Sequence, residues 1–173
     1  MDVVVIGLGL IGGSMAKDLR RAGFATGLVG VESDPEHAAE AVRLGIVDRV
    51  ESLEEALPGA DLVLITTPVD VAVTLLPGVL DRVGAHTTVT DMGSVKRRLT
   101  EAVREHSRRR QYVPAHPMAG TENSGPSAAL ENLFRGKIAI LCDQEESGPQ
   151  HLALVEKMLD RKSTRLNSSH RIR

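Results

Sequence analysis

Val3-Val4-Val5-Ile6-Gly7-Leu8-Gly9-Leu10-Ile11-Gly12-Gly13-Ser14 begins as a continuous apolar run and passes into a turn punctuated by glycine. The β-branched run reads as a buried strand, and Ile11, Met15 and Leu19 then recur at helical spacing until Gly23 stops the pattern. Strand, glycine turn and helix in that order form the context in which a Gly-x-Gly-x-x-Gly pattern signals dinucleotide binding. Gly7 permits the tight turn, Gly9 lets backbone approach a pyrophosphate, and Gly12 lets the helix pack closely on the strand. Leu10 and Ile11 open the helix, whose free N–H groups and partial positive charge favour phosphate. The competing reading is a glycine-rich structural turn without a ligand.

The next strand, Leu28 to Val31, ends at Glu32, twenty residues after Gly12. An acid at that place can accept hydrogen bonds from the adenosine ribose hydroxyls and repels a 2′-phosphate, so NAD is the expected cofactor rather than NADP. Asp34 then caps a helix whose first turn holds Pro35. Thr66, Thr67 and Pro68 follow the apolar run Leu62 to Ile65 and are expected to line the cofactor site, although a plain helix start with Pro68 in the first turn explains them nearly as well.

The same alternation runs on. Strands are expected near Val47 to Val50, Leu62 to Thr66, Thr87 to Thr90, Tyr112 to Ala115 and Lys137 to Leu141. Helices are expected at Leu53 to Leu57, Val69 to Val83, Val95 to Arg108, Ser127 to Phe134 and Pro149 to Leu159. Such a series predicts an α/β protein with a Rossmann-type, doubly wound, mostly parallel sheet. With 173 residues, 42% of them hydrophobic, the chain has the length and composition of one globular domain.

The formal charge of −2 is uneven. Residues 161–173 hold five basic side chains and no acid, which leaves 16 basic against 23 acidic residues in 1–160. That acidic body, with no tryptophan and one tyrosine, argues against a nucleic-acid partner. The tail breaks both periodicity and charge balance, so 1–160 is read as the domain and 161–173 as a non-native or disordered basic end. No stretch reaches the ~20 apolar residues of a membrane helix and no basic region opens a signal peptide, so no membrane partner and a cytoplasmic location are expected. The single cysteine, Cys142, is expected to be a buried, inert thiol.

Two segments come after strands on the same side of the sheet, Asp91-Met92-Gly93-Ser94-Val95-Lys96 and His116-Pro117-Met118-Ala119-Gly120-Thr121-Glu122-Asn123-Ser124-Gly125. Ligands of open α/β sheets bind in the crevice there. His116 is thereby placed beside the expected hydride carrier, though taken alone it could be a strand-end histidine satisfied by backbone. Lys96, Arg97, Arg98 and Arg108 to Arg110 read as a solvated helix face.

Taken together, the glycine turn, the strand-end acid, Gly-Ser-Val-Lys and above all His-Pro-Met-Ala-Gly-Thr-Glu-Asn-Ser-Gly resemble the nucleotide-binding domain of the prephenate dehydrogenase family, over residues 1 to about 160. The resemblance implies NAD-dependent oxidative decarboxylation of prephenate to 4-hydroxyphenylpyruvate in tyrosine biosynthesis, without a metal. It implies that His116 takes the proton of the substrate hydroxyl, that Ser94 orients the imidazole or shares that hydroxyl, and that Thr121 and Glu122 serve the substrate. It also implies a second, helical domain that contacts the substrate carboxylates and forms a homodimer. No such domain is visible here, so the chain is expected to be a C-terminally shortened form that binds cofactor but does not turn over. The alternatives are a non-catalytic dinucleotide-binding or redox-sensing module, an arogenate dehydrogenase, or a hydroxyacid dehydrogenase.

Overall fold

A computed structural model describes residues 1–120, 123–160 and 163–165. The opening apolar run forms β1 (Asp2–Ile6), and the periodic stretch after it forms α1 (Leu10–Arg21). Next come β2 (Gly27–Val31), α2 (Pro35–Arg43), β3 (Arg49–Val50), α3 (Leu53–Ala56) and β4 (Leu62–Ile65). The chain continues through α4 (Val69–Arg82), β5 (Thr88–Asp91), α5 (Arg97–Ala102), β6 (Tyr112–Pro117), β7 (Lys137–Leu141), α6 (Pro149–Asp160) and β8 (Ser163–Arg165). The sheet order is β3-β2-β1-β4-β5-β6-β7-β8, with β6 and β7 antiparallel and every other pair parallel. The order reverses between β2 and β4 on either side of β1, which is the switch point where ligands of doubly wound sheets sit.

Alternate residues of the central strands face opposite layers. Val3 and Val5 pack with Met15 and Leu19 of α1, Ala41 of α2 and Val155 and Met158 of α6. Val4 and Ile6 pack with Leu57, with Leu76 and Val79 of α4 and with Leu99 of α5. Both faces are therefore covered, which is why these strands are apolar throughout rather than alternating.

Side-chain caps set two of the helix starts. The Asp34 carboxylate accepts from the N–H groups of Glu36 and His37, as the sequence predicts, and Ser52 with Glu55 forms a reciprocal capping box at α3.

Two helices differ from expectation. The stretch Val95 to Arg108 is helical only over α5, because the preceding residues close a turn on Asp91 and Lys96 points inward. Beyond α5 the chain descends in single turns to Gln111, whose amide donates to the carbonyls of Gly84 and Thr87, both at 2.8 Å. The expected helix at Ser127 to Phe134 is replaced by a short 3-10 turn, Pro126–Ala128, and further turns. Its backbone N–H groups find side chains of α1 instead of carbonyls four residues back: Leu130 donates to Ser14 Oγ at 2.9 Å and Asn132 to Asp18 Oδ1 at 2.8 Å. The third strand is also shorter than expected, two residues rather than four.

Candidate functional site

The turn after β1 is shaped by three glycines that do different things. Gly7 has φ +91°, a left-handed conformation that side chains with a Cβ rarely adopt, and its N–H donates to Val31 O. A Cβ on Gly12 would run into the carbonyl oxygen of Gly7 and stand 2.5 Å from Thr66 Oγ1, so only glycine brings α1 this close to the strands. Around Gly9 a Cβ would meet nothing within 4 Å, because that face borders open space. Gly9 is also the N-cap of α1, with no side-chain cap and no acid in the first turn. The first N–H groups of the helix are left to whatever anion enters that space.

Glu32 closes the other side of the turn. One carboxylate oxygen accepts from Leu8 N at 2.9 Å and the other from Ser33 N at 2.8 Å and Asp34 N at 3.1 Å. The carboxylate is thus aimed by backbone, tying the glycine turn to the end of β2, and it keeps lone pairs for further donors such as ribose hydroxyls.

A cavity of about 370 Å³ opens at the carboxyl ends of the central strands, with Gly9, Leu10 and Ile11 along one part of its lining. Thr66, Thr67 and Pro68 from the end of β4 and Ser94 from the turn after β5 line it as well. Val69, Met92, Gly93, Asn123, Ser124 and Gly125 make up the rest of the lining. Gly7, Gly12, Glu32 and His116 are not part of this lining; the first three shape the turn behind it. Thr66 Oγ1 lies 2.6 Å from Gly7 O and 2.9 Å from Ile6 O, so this residue braces the turn in addition to facing the cavity. Thr67 Oγ1 is buried and has no hydrogen-bond partner among the described residues. An uncapped helix start, an open Gly9 and an orphaned hydroxyl in one cavity fit a phosphate-bearing, hydroxyl-rich ligand of dinucleotide type.

Beside the cavity lies a buried polar cluster. The register pairs Val89 with Tyr112 and Asp91 with Pro114, so Asp91, Tyr112 and His116 share one face of the sheet. Asp91 is 1% exposed and accepts from Tyr112 Oη at 2.6 Å, from Gly93 N at 2.9 Å and from the ammonium of Lys96. Burial pushes the Lys96 ammonium below its ordinary pKa while the Asp91 charge and hydrogen bond pull it back up. Burial also raises the Tyr112 phenol, with Asp91 adding to the effect, so it remains the donor.

His116 sits half-buried near the end of β6. Burial lowers its pKa, the Lys96 charge lowers it further, and Asp91 acts in the opposite direction. The imidazole is therefore neutral near pH 7 and able to accept a proton. Cys142 is partly buried and its thiol is raised by burial, which leaves it a weak nucleophile.

The structure corrects the reading of a solvated basic face. Lys96 is an inward partner of Asp91. Arg109 is buried, donates to Tyr112 O at 2.9 Å and lies 5.3 Å from the centre of the Tyr112 ring, while Arg108 donates to Leu80, Asp81 and Val83 carbonyls at the end of α4. Arg97 and Arg98 are exposed as expected, pairing with Glu101 and Asp70. Sequence reasoning does not single out Asp91 and Tyr112; an acid closing a β-branched run ahead of Gly93 is the signal that points to Asp91. Thr121 and Glu122 lie outside the described residues.

The sequence model of the family described as "Prephenate dehydrogenase, nucleotide-binding domain" matches residues 15–168. The chain belongs to that family. A prephenate dehydrogenase of Bacillus subtilis is 32% identical over 160 residues, which cover 91% of this chain and 43% of the relative. A prephenate dehydrogenase of Aquifex aeolicus, solved in complex with hydroxyphenyl propionate and NAD+, superimposes with a TM-score of 0.82 at 32% identity, covering 96% of this chain and 60% of that one. The arogenate dehydrogenase of Synechocystis gives a TM-score of 0.84 at 32% identity with the same coverages. As a prephenate dehydrogenase nucleotide-binding domain, the chain thus spans 43 to 60% of the length of these relatives. Among the described residues no helix is long and apolar enough to cross a membrane, and no group of three His, Cys, Asp or Glu side chains could hold a metal ion.

Proposed function

We propose that this chain is the cofactor-binding half of an NAD-dependent dehydrogenase that oxidatively decarboxylates prephenate to 4-hydroxyphenylpyruvate. The observation that carries the reading is the cavity at the switch point. Its lining joins the uncapped start of α1 to Ser94, and His116, close enough to Asp91 and Lys96 to feel their charges, shares their sheet face. The Aquifex aeolicus relative, whose complex holds NAD+ and hydroxyphenyl propionate together, supports it.

In this reading the α1 N–H groups and Gly9 receive the pyrophosphate, Glu32 takes the adenosine ribose hydroxyls, and Thr66 to Pro68 border the path toward Ser94. The nicotinamide supplies the hydride acceptor when bound. His116 accepts the proton of the substrate hydroxyl as its carbon becomes a carbonyl, and Ser94 orients the imidazole or shares that hydroxyl. Burial, with the Lys96 charge adding to it, lowers the pKa of the resting imidazole and disfavours a trapped imidazolium. Thr121 and Glu122 complete the substrate side, and the remainder of the protein supplies the substrate carboxylate contacts and the homodimer interface.

Turnover by the complete protein that carries this domain tests the reading. NADH formation dependent on prephenate is expected, falling by about 10²- to 10⁴-fold in His116→Asn with NAD+ affinity retained. Arogenate is the comparison substrate. A His116→Asn protein that retains full kcat would rule out this histidine as the base.

A further inference from the structure

Resting on the cofactor reading, we propose that Asn123 and Ser124 are nucleotide-binding residues, set against the pyrophosphate and adenosine side of the bound dinucleotide. The ten-residue segment from His116 to Gly125 then serves two ligands, its beginning acting on substrate and its end on cofactor.

Position comes first. Asn123, Ser124 and Gly125 line the same cavity as Gly9, Leu10 and Ile11, so whatever occupies the start of α1 also faces this segment. Gly125 lies beside α2, since a Cβ there would stand 3.5 Å from His37 Nε2, and α2 begins just beyond Glu32. The segment's end is therefore on the adenosine side of the site, away from β6.

The chain just past Gly125 is fixed to α1 itself. Ala129 packs so near Gly13 that a Cβ on Gly13 would be 2.7 Å from it, Lys17 Nζ donates to Ala129 O at 2.9 Å, and Leu130 N donates to Ser14 Oγ. The helix that presents N–H groups to phosphate thus also holds this wall in place. The chemistry of the wall suits an anion: Asn123 and Ser124 are exposed, neutral donors, and residues 123–130 contain no acid.

Calorimetric titration of the 173-residue chain with NAD+ and with ADP-ribose, for Ser124→Asp and Asn123→Ala, tests the assignment, with thermal unfolding run in parallel. Ser124→Asp, which places a negative charge against phosphate, is expected to weaken both ligands by at least about tenfold, and Asn123→Ala by about three- to tenfold. The unfolding midpoint of Ser124→Asp should not move, because that side chain is exposed.

Affinities within about twofold of the parent chain for both variants, a difference too small for a lost hydrogen bond, would overturn the proposal while leaving the cofactor reading intact. Weakened NAD+ with unchanged ADP-ribose would overturn it too, by placing the contact on the nicotinamide half. A folded parent chain that binds neither ligand would contradict the cofactor reading itself, and this proposal with it.

Discussion

Residues 2–66 and residues 91–147 both deliver turns to the carboxyl edge of the sheet, and they do so by different means. In the first region the turn is made by backbone: Gly7 adopts a left-handed φ, Gly12 lets α1 close on the strands, and the Glu32 carboxylate collects three N–H groups. In the second region it is made by side chains that reach across elements. Asp91 gathers Tyr112, Gly93 and Lys96, and Ser14 and Asp18 of α1 hold the chain at Leu130 and Asn132. A turn built from backbone suits a ligand common to many enzymes, and one built from long-range polar contacts can be retuned by single substitutions. The pKa of His116 is set first by burial and then by two members of the second kind, Lys96 and Asp91.

The largest effect expected from breaking this contrast is at Gly12. Gly12→Val puts side-chain atoms where the Gly7 carbonyl and Thr66 hydroxyl lie, and should cost about 3 kcal/mol or more, read as a fall in the urea midpoint. Gly9→Val meets no such obstacle, since nothing lies near its Cβ, and should cost only about 1 kcal/mol, for a poorer N-cap of α1, while abolishing nucleotide binding. Equal destabilisation by both would show that the two glycines do not divide packing from ligand approach.

Lys96→Met should cost about 3 kcal/mol, since it leaves Asp91 buried without its cation. It should also raise the His116 pKa, measurable from imidazole resonances, because the Lys96 charge adds to burial in holding that pKa down. An unchanged His116 titration would detach the buried cluster from the histidine. Ser14→Ala is a smaller break, about 1 kcal/mol, because it deprives Leu130 N–H of its acceptor. Hydrogen exchange at Leu130 should quicken while the amides of β1 stay protected.

The smallest effect is a pH dependence. His151 is buried with Nδ1 2.7 Å from Thr88 Oγ1, and burial, with the charge of His86 adding to it, holds its pKa below the ordinary 6.5, as burial does for His116. The unfolded chain therefore binds more protons than the folded one as pH falls past 6.5. Stability should be complete above that value and be lost as pH drops toward the folded pKa values. His151→Gln should flatten this slope in pH-dependent urea unfolding.

The same contrast decides what can be read from sequence. Strand, turn and helix at Val3 to Gly23, and the Asp34 cap with Pro35 after it, arise from local periodicity and local hydrogen bonding, and the structure has them where the residues predict. The apolar pattern at Ser127 to Phe134 reads as a helix but does not form one, because its N–H groups bond to side chains more than a hundred residues away. Lys96 reads as a solvated cation for a similar reason, since its partner Asp91 belongs to the strand edge and charge periodicity carries no sign of burial. Asn123 to Gly125 are legible as part of a distinctive segment, but their place beside α1 emerges only from the crossing of the chain.

The central claim, that the turn after β1 and its cavity hold NAD, is tested most directly by calorimetric titration of NAD+ and NADP+ into this chain and into Gly9→Val and Glu32→Ala. Saturable NAD+ binding, lost in Gly9→Val, with NADP+ weaker until Glu32 is removed, is the predicted result. A folded chain that binds neither nucleotide, or that binds NADP+ as tightly as NAD+ with Glu32 in place, would contradict it.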